Sequence, residues 1–204
     1  MLGDFTTQRA LFGGAITRSF PLRFQDVSTI RQVPDHQEVF VDPTRDESLI
    51  FELLDLKADV LDEGSATWFL QDLANEQDAD GTMVLEQSGV FEADWLQYRN
   101  IPAVVTTAAG PGQMVCNIFC FVQSKCWFFQ VYLANLRLKG VATDVLITAY
   151  EPMLINPLSE SASAIGAGFI VPAAQCGCIP MAEVFKLAVS SFKVNDWSLF
   201  GVAA

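Results

Sequence analysis

The stretch from Val131 to Tyr150 constrains this chain more than any other. Val131 to Leu138 alternates along its length, Lys139-Gly140 interrupts it, and Asp144-Val145-Leu146-Ile147-Thr148-Ala149-Tyr150 opens a second run rich in β-branched residues. A period of two belongs to a pleated strand, and a short polar break between two such runs lets the chain reverse. The pair predicts a long hairpin at the centre of an antiparallel sheet. Around it, Leu11 to Phe20 predicts a first strand bent or bulged at Gly13-Gly14, Glu38 to Asp42 an extended segment, and Thr82 to Phe91 and Ala103 to Ala108 further strands.

Four segments carry the helical period instead. Gln25 to Arg31 reads as a short helical turn capped by Asp26 or Ser28 and stopped by Pro34. Asp46 is placed to cap a helix in which Leu49, Ile50, Leu53, Leu54 and Leu56 recur at helical spacing. Ser65 to Ala74 predicts a helix with Trp68, Phe69 and Leu73 on its apolar face, and Met181, Val184, Phe185, Ala188, Val189 and Phe192 predict a final amphipathic one. Asn75 to Gly81 and the Ser/Ala/Gly-rich residues 157–177 read as loops. The tail from Val194 to Gly201 is expected to dock its aromatics on the core. Helices early and late, with strands between them and no β-α-β alternation, predict an α+β fold without a parallel sheet. One domain over residues 1–204 is expected, since there is no repeat and no linker.

Charge narrows the partners. The net charge of −12 lies wholly in the first half, where residues 1–100 hold 19 acidic and 7 basic side chains against five of each in residues 101–204. Such a field repels phosphate backbones and attracts basic protein surfaces, so a nucleic-acid partner is not expected. Cys116, Cys120, Cys126, Cys176 and Cys178 contain no C-x-x-C pair, and the sole histidine is distant, so they read as buried reduced thiols and no metal site is expected. Met1 to Phe5 has no signal-peptide pattern, and the apolar region Met114 to Leu136 is broken by Asn117, Gln123, Ser124, Lys125, Gln130 and Asn135, so no membrane span is expected. Glycine pairs at Gly110-Pro111-Gly112 and Gly166-Ala167-Gly168 fit neither phosphate-binding pattern, and no G-x-S-x-G elbow occurs. His36 beside Asp35 reads as a surface histidine rather than an acid–base pair.

Two carboxylates stand out in Val33-Pro34-Asp35-His36-Gln37-Glu38-Val39-Phe40. Asp35 follows a proline, where an Asp side chain can bond nearby backbone amides and serve the turn alone. Alternatively, Asp35 and Glu38 project from one edge and, with Asp26 and Asp42, form an acidic patch for Lys or Arg side chains. The residues leave both readings open.

Taken with Leu11-Phe12-Gly13-Gly14-Ala15-Ile16 upstream and Ser48-Leu49-Ile50-Phe51-Glu52-Leu53-Leu54 downstream, this segment resembles the Ran guanine-nucleotide release factors, the Mog family, whose fold is PsbP-like. The resemblance resumes over Val131 to Leu158 and Pro180 to Gly201, where Lys193-Val194-Asn195-Asp196-Trp197-Ser198-Leu199-Phe200-Gly201 resembles the ending of plant-type members. It implies a twisted, mainly antiparallel sheet with helices on both faces. It implies binding of the small GTPase Ran and non-catalytic release of its guanine nucleotide, in nucleus and cytoplasm, supporting nuclear protein import. No cofactor is implied, a Ran-binding protein is a candidate assistant, and a monomer is expected. Carried over by position, the Ran-binding residues are Asp35 and Glu38 first, then Pro34, Gln37, Arg31 and Asp26. His36 falls at a variable position and receives no role. An acidic adaptor without exchange activity is the second function class. A PsbP-like photosynthetic subunit would need an organellar leader, and a small-molecule enzyme lacks a catalytic constellation. Residues 110–130 depart from the family pattern, and a variant exon or retained non-coding sequence accounts for them best.

Overall fold

Alternation along the central hairpin decides how the layers stack. The structure is a computed structural model and describes residues 4–28, 32–76, 83–114, 127–155, 166, 168–169, 171 and 173–201. In chain order its elements are β1 (Thr6–Leu11), β2 (Ile16–Pro21), β3 (Gln25–Asp26), β4 (Gln37–Asp42), β5 (Glu47–Asp55), α1 (Ser65–Glu76), β6 (Gln87–Tyr98), β7 (Ile101–Met114), β8 (Trp127–Leu138), β9 (Thr143–Ile155), β10 (Gly168–Phe169), α2 (Met181–Ser190) and β11 (Lys193–Val194). Among the described residues, one sheet runs β3-β4-β5-β9-β8-β7-β6 with β10 beside β9, and a small sheet runs β1-β2-β11. Each recorded strand pair is antiparallel. The predicted hairpin is β8 and β9, with Val131 opposite Tyr150 and Leu138 opposite Thr143.

Successive side chains on these strands point to opposite faces, and each face is apolar. Val131, Leu133, Leu146 and Tyr150 meet Phe69 and Leu70 of α1 on one side. On the other, Leu136, Val145 and Ile147 meet Val184, Phe185 and Ala188 of α2, and Ile16 and Phe20 of the small sheet. Helices therefore lie on both faces, as the resemblance implies. Helix α1 starts where the sheet answers its free amides: Thr106 Oγ1 accepts the Ala66 N–H at 3.1 Å and lies 2.8 Å from Ser65 Oγ. Helix α2 starts after Pro180, whose carbonyl accepts the Glu183 and Val184 amides at 2.9 and 3.0 Å.

Several expectations are corrected. Leu49 to Leu56 is not a helix; Glu47–Asp55 is strand β5, and Asp46 sits in the preceding turn at φ 56°. A strand buried on both faces is apolar almost throughout, so its residues also match a helical template. Leu49, Phe51 and Leu53 face one core and Ile50 and Leu54 the other. Leu11 to Phe20 is a hairpin of β1 and β2 around a 3₁₀ turn at Phe12–Gly14, not one bulged strand. The helical turn at Gln25 is instead strand β3 paired to β4, after which Asp26 Oδ1 accepts the Ser28 amide at 2.8 Å. Asn75 and Glu76 belong to α1, and the rest of the predicted loop lies outside the described residues. Within residues 157–177, Gly168–Phe169 pairs with Leu154 and Ile155, and Ala173–Cys176 forms a 3₁₀ turn. Cys176 is exposed and Cys178 half-buried rather than buried, while Cys116, Cys120 and Cys126 lie outside the described residues. The flanks of the atypical region are regular ladder, from Gly110 opposite Val131 to Met114 opposite Trp127. Among the described residues, no helix is long and apolar enough to cross a membrane.

Gly110 marks a close approach in β7. A Cβ there would fall 1.7 Å from the backbone oxygen of Val84, in the segment whose Val84 and Glu86 amides bond the Pro111 and Ala109 carbonyls. Gly110→Ala is expected to cost about 1–3 kcal/mol, the usual price of forcing atoms into filled space. A urea midpoint equal to that of the parent protein would contradict this.

Candidate functional site

Proline sets the site's geometry. The Pro34 carbonyl accepts the Gln37 amide at 2.9 Å, closing a turn with Asp35 and His36 exposed at its tip. Asp35 has no hydrogen bond or ion pair among the described residues, so it does not serve the turn as a cap. Chain reversal places Gln37 at the start of β4, opposite Glu52 of β5. Gln37 Nε2 donates to Glu52 Oε1 at 2.6 Å, and His36 Nε2 lies 3.4 Å from the same oxygen. Those contacts commit Glu52 and leave Asp35 as the free carboxylate of the turn.

Glu38 behaves differently. It shares the strand face of Phe40, is half-buried, and accepts the backbone N–H of Phe12 from the β1–β2 turn. Burial pushes its carboxyl above the ordinary glutamate range, against the pull of the Phe12 amide and the Arg18 guanidinium. Arg18 is fully buried, with its guanidinium carbon 3.1 Å from the Phe51 ring centre, 4.6 Å from Phe20 and 5.2 Å from Phe40. None of its three side-chain nitrogens has a hydrogen-bond partner. Stacking on aromatic faces is the compensation available to such a cation. Burial drives its pKa well below the usual arginine value, and Glu38 is the charge that opposes the fall. Arg9 repeats the arrangement nearer the surface, 5.0 Å over Phe20, with burial lowering its pKa and Asp26 raising it. Glu38 and Asp26 are thus counter-charges for two arginines as well as members of the predicted patch.

The structure divides the sequence candidates accordingly. Pro34 and Asp35 are exposed on the turn, Gln37 is tied to Glu52, Glu38 points inward, and Asp26 is exposed on β3. Arg31 lies outside the described residues. Asp42 does not join a surface patch: it is 1% exposed and paired to Arg23. Sequence reasoning missed Phe12, Arg18 and Asn195, whose Nδ2 donates to the Gly14 carbonyl at 3.1 Å and to Thr17 Oγ1 at 3.3 Å. The Gly13-Gly14 pair was their only sequence signal. It also missed a cavity of about 980 Å³ between α2 and the sheet, walled by Phe91, Trp95 and Phe185. There the Tyr132 hydroxyl donates to Glu151 at 3.1 Å, and burial raises the pKa of both groups.

Among the described residues, a large antiparallel sheet carries one helix on each face and presents an acidic turn beside a glycine hairpin. The family model described as Ran-interacting Mog1 protein matches residues 9–152, and the chain belongs to that family. It is similar to the Ran guanine nucleotide release factor of Danio rerio, with 35% identity over 199 residues that cover 95% of this chain and 99% of the relative. The Homo sapiens Ran guanine nucleotide release factor is 31% identical over 192 residues, covering 94% and 95%. In fold it is similar to the crystal structure of the Saccharomyces cerevisiae Ran-binding protein Mog1p, with a TM-score of 0.64 at 24% identity over 97% of this chain and 100% of that one.

Proposed function

We propose that this protein binds the small GTPase Ran and promotes release of its guanine nucleotide, in support of nuclear protein import. Family membership supports the activity, and the unpaired, exposed carboxylate of Asp35 carries the site. A carboxylate held out on a proline turn can pair with a basic side chain that otherwise helps hold phosphate or its adjoining segment. No covalent step is required. A factor that binds the nucleotide-free GTPase better than the loaded one shifts the equilibrium toward release by that difference alone. Pro34 sets the turn, Gln37 anchors it to Glu52, and Asp26 adds a second exposed carboxylate. Glu38 contributes from its half-buried place behind the turn, and Arg31 is included on the family resemblance alone. The protein works as a single domain and a monomer in nucleus and cytoplasm, with a Ran-binding protein as a candidate assistant. We read its Lys193–Gly201 ending, which resembles that of plant-type members, as a sign that it is one of them.

Release of a fluorescent guanine nucleotide from Ran, followed with and without the protein, tests this. Acceleration is expected, and Asp35→Lys is expected to weaken it by about ten-fold or more while leaving the circular-dichroism spectrum unchanged. Binding without acceleration would instead support the adaptor reading. An Asp35→Lys variant as active as the parent would remove Asp35 from the site.

A further inference from the structure

We propose that the β1–β2 turn, Phe12 to Gly14, is the second half of the Ran-contacting surface, and that Glu38 is the positioning residue that holds it there. This rests on the Ran-binding reading and deepens it. Phe12, Gly13 and Gly14 follow one another at φ 49°, 67° and 97°. Three successive residues in the left-handed region form a turn that its own backbone does not favour, least of all at a phenylalanine, so neighbouring groups must hold it. They do so from two sides. Glu38, 26 residues away on β4, accepts the Phe12 amide. From the chain's far end, Asn195 Nδ2 donates to the Gly14 carbonyl, and the Asn195 and Asp196 amides donate to the Ala15 carbonyl at 2.8 and 3.1 Å. A turn fixed only for folding needs neither its tip in the open nor two distant clamps. Yet Gly13 is exposed, and a Cβ on Gly13 or Gly14 would meet nothing within 4 Å.

The same bond sets the turn's place relative to Asp35. Glu38 follows the Pro34–Gln37 turn directly, so anchoring Phe12 to Glu38 fixes one turn against the other. Glu38 is poorly suited to a partner's cation, because its carboxylate already faces inward to the Phe12 amide and the field of buried Arg18. Asp35 remains for charge recognition, and the hairpin tip offers open backbone to a polar loop of the partner. The arrangement assigns two jobs to two acids three residues apart.

Four variants measured for Ran binding and nucleotide release test the assignment. Glu38→Ala and Gly14→Ala are each expected to weaken binding by about ten-fold. Glu38→Gln, whose amide oxygen can still accept the Phe12 N–H, is expected to restore most of what Glu38→Ala loses. Hydrogen exchange at the Phe12 amide should be slow in the parent and in Glu38→Gln and fast in Glu38→Ala. Asn195→Ala loosens the turn without touching Arg18 or Glu38, and is expected to weaken binding even if Glu38→Ala unfolds. The assignment is overturned if Glu38→Gln loses as much as Glu38→Ala while Phe12 stays protected, since the carboxylate then meets Ran itself. It is also overturned if Gly14→Ala and Asn195→Ala bind like the parent. If the parent neither binds Ran nor accelerates release, the underlying reading fails instead; sensitivity to Asp35→Lys with indifference to Gly14→Ala removes only the turn.

Discussion

Arg23→Ala is expected to cost about 3–5 kcal/mol of folding stability, the range for breaking a buried ion pair from one side. Arg23 joins three carboxylates: it pairs with Asp4, lies 2.8 Å from Glu47 Oε2, and sets Nε 3.0 Å from Asp42 Oδ2. The Asp42 contact is an ion pair without the direction of a hydrogen bond. The side chains of Asp42 and Glu47 are each 1% exposed, so water cannot replace the lost guanidinium. Arg45 remains on Glu47 at 2.7 Å and Thr44 on Asp42, which limits the loss without cancelling it. Arg23 also donates to the Ile179 carbonyl at 3.1 Å, just before α2, so the variant loosens the start of that helix. Urea denaturation measures the change. A loss below about 1 kcal/mol would mean that these ions behave like surface pairs.

This network explains part of what the sequence conceals. The acidic excess of the first half reads as one field, but Asp4, Asp42 and Glu47 are spent on interior arginines, and Asp26 and Glu38 balance Arg9 and Arg18. Nothing local distinguishes Asp42, at the end of β4, from Asp35 seven positions earlier. Their fates differ because Arg23 arrives beside Asp42 through the tertiary fold, whereas Asp35 projects from a turn. The proline turn was legible because Pro34 acts on its own neighbours. The inward direction of Glu38 was not, because its partners come from β2 and from the turn before it, and Arg18 is enclosed by rings from β2, β4 and β5.

The fold divides in the same way. Helices α1 and α2 were legible because each buries one face, which leaves a clean period of 3.6. The β8–β9 hairpin was legible from two strand-like runs on either side of the Lys139-Gly140 break, although both of its faces are buried. Strand β5 was misread because it is sandwiched between both cores, where burial erases the period and leaves helix and strand equally matched. The β1–β2 hairpin was misread as one strand because a turn opening at a positive-φ phenylalanine has no common sequence signature. Each miss falls where a contact distant in sequence overrides a local preference, and the turn at Phe12 is also the place proposed to meet the partner.

The second large effect is expected at Arg137 on β8. Its Nε donates to Asp144 Oδ1 at 3.0 Å across the central hairpin, and Asp144 is fully buried. Its Nη1 donates to the Val60 carbonyl at 2.6 Å and to Asp62 Oδ1 at 3.2 Å, and its Nη2 to the Lys57 carbonyl. Asp144 Oδ2 in turn accepts the Lys57 amide at 2.8 Å. One guanidinium thus ties the hairpin to residues 57–62, the connection from β5 to α1. Arg137→Ala strands a buried carboxylate and two backbone oxygens together, and about 3–5 kcal/mol is expected to be lost. Arg137→Lys keeps the charge but not the planar fork, so it is expected to recover only part of the loss. The double variant Arg137→Met with Asp144→Leu removes both charges, and it is expected to be more stable than Arg137→Ala. Amide exchange should locate the damage, with Lys57 losing protection before the centre of β9. If the single and double variants are equally stable, the stranded charge is not the source of the loss, and the backbone contacts to Val60 and Lys57 hold the connection by themselves.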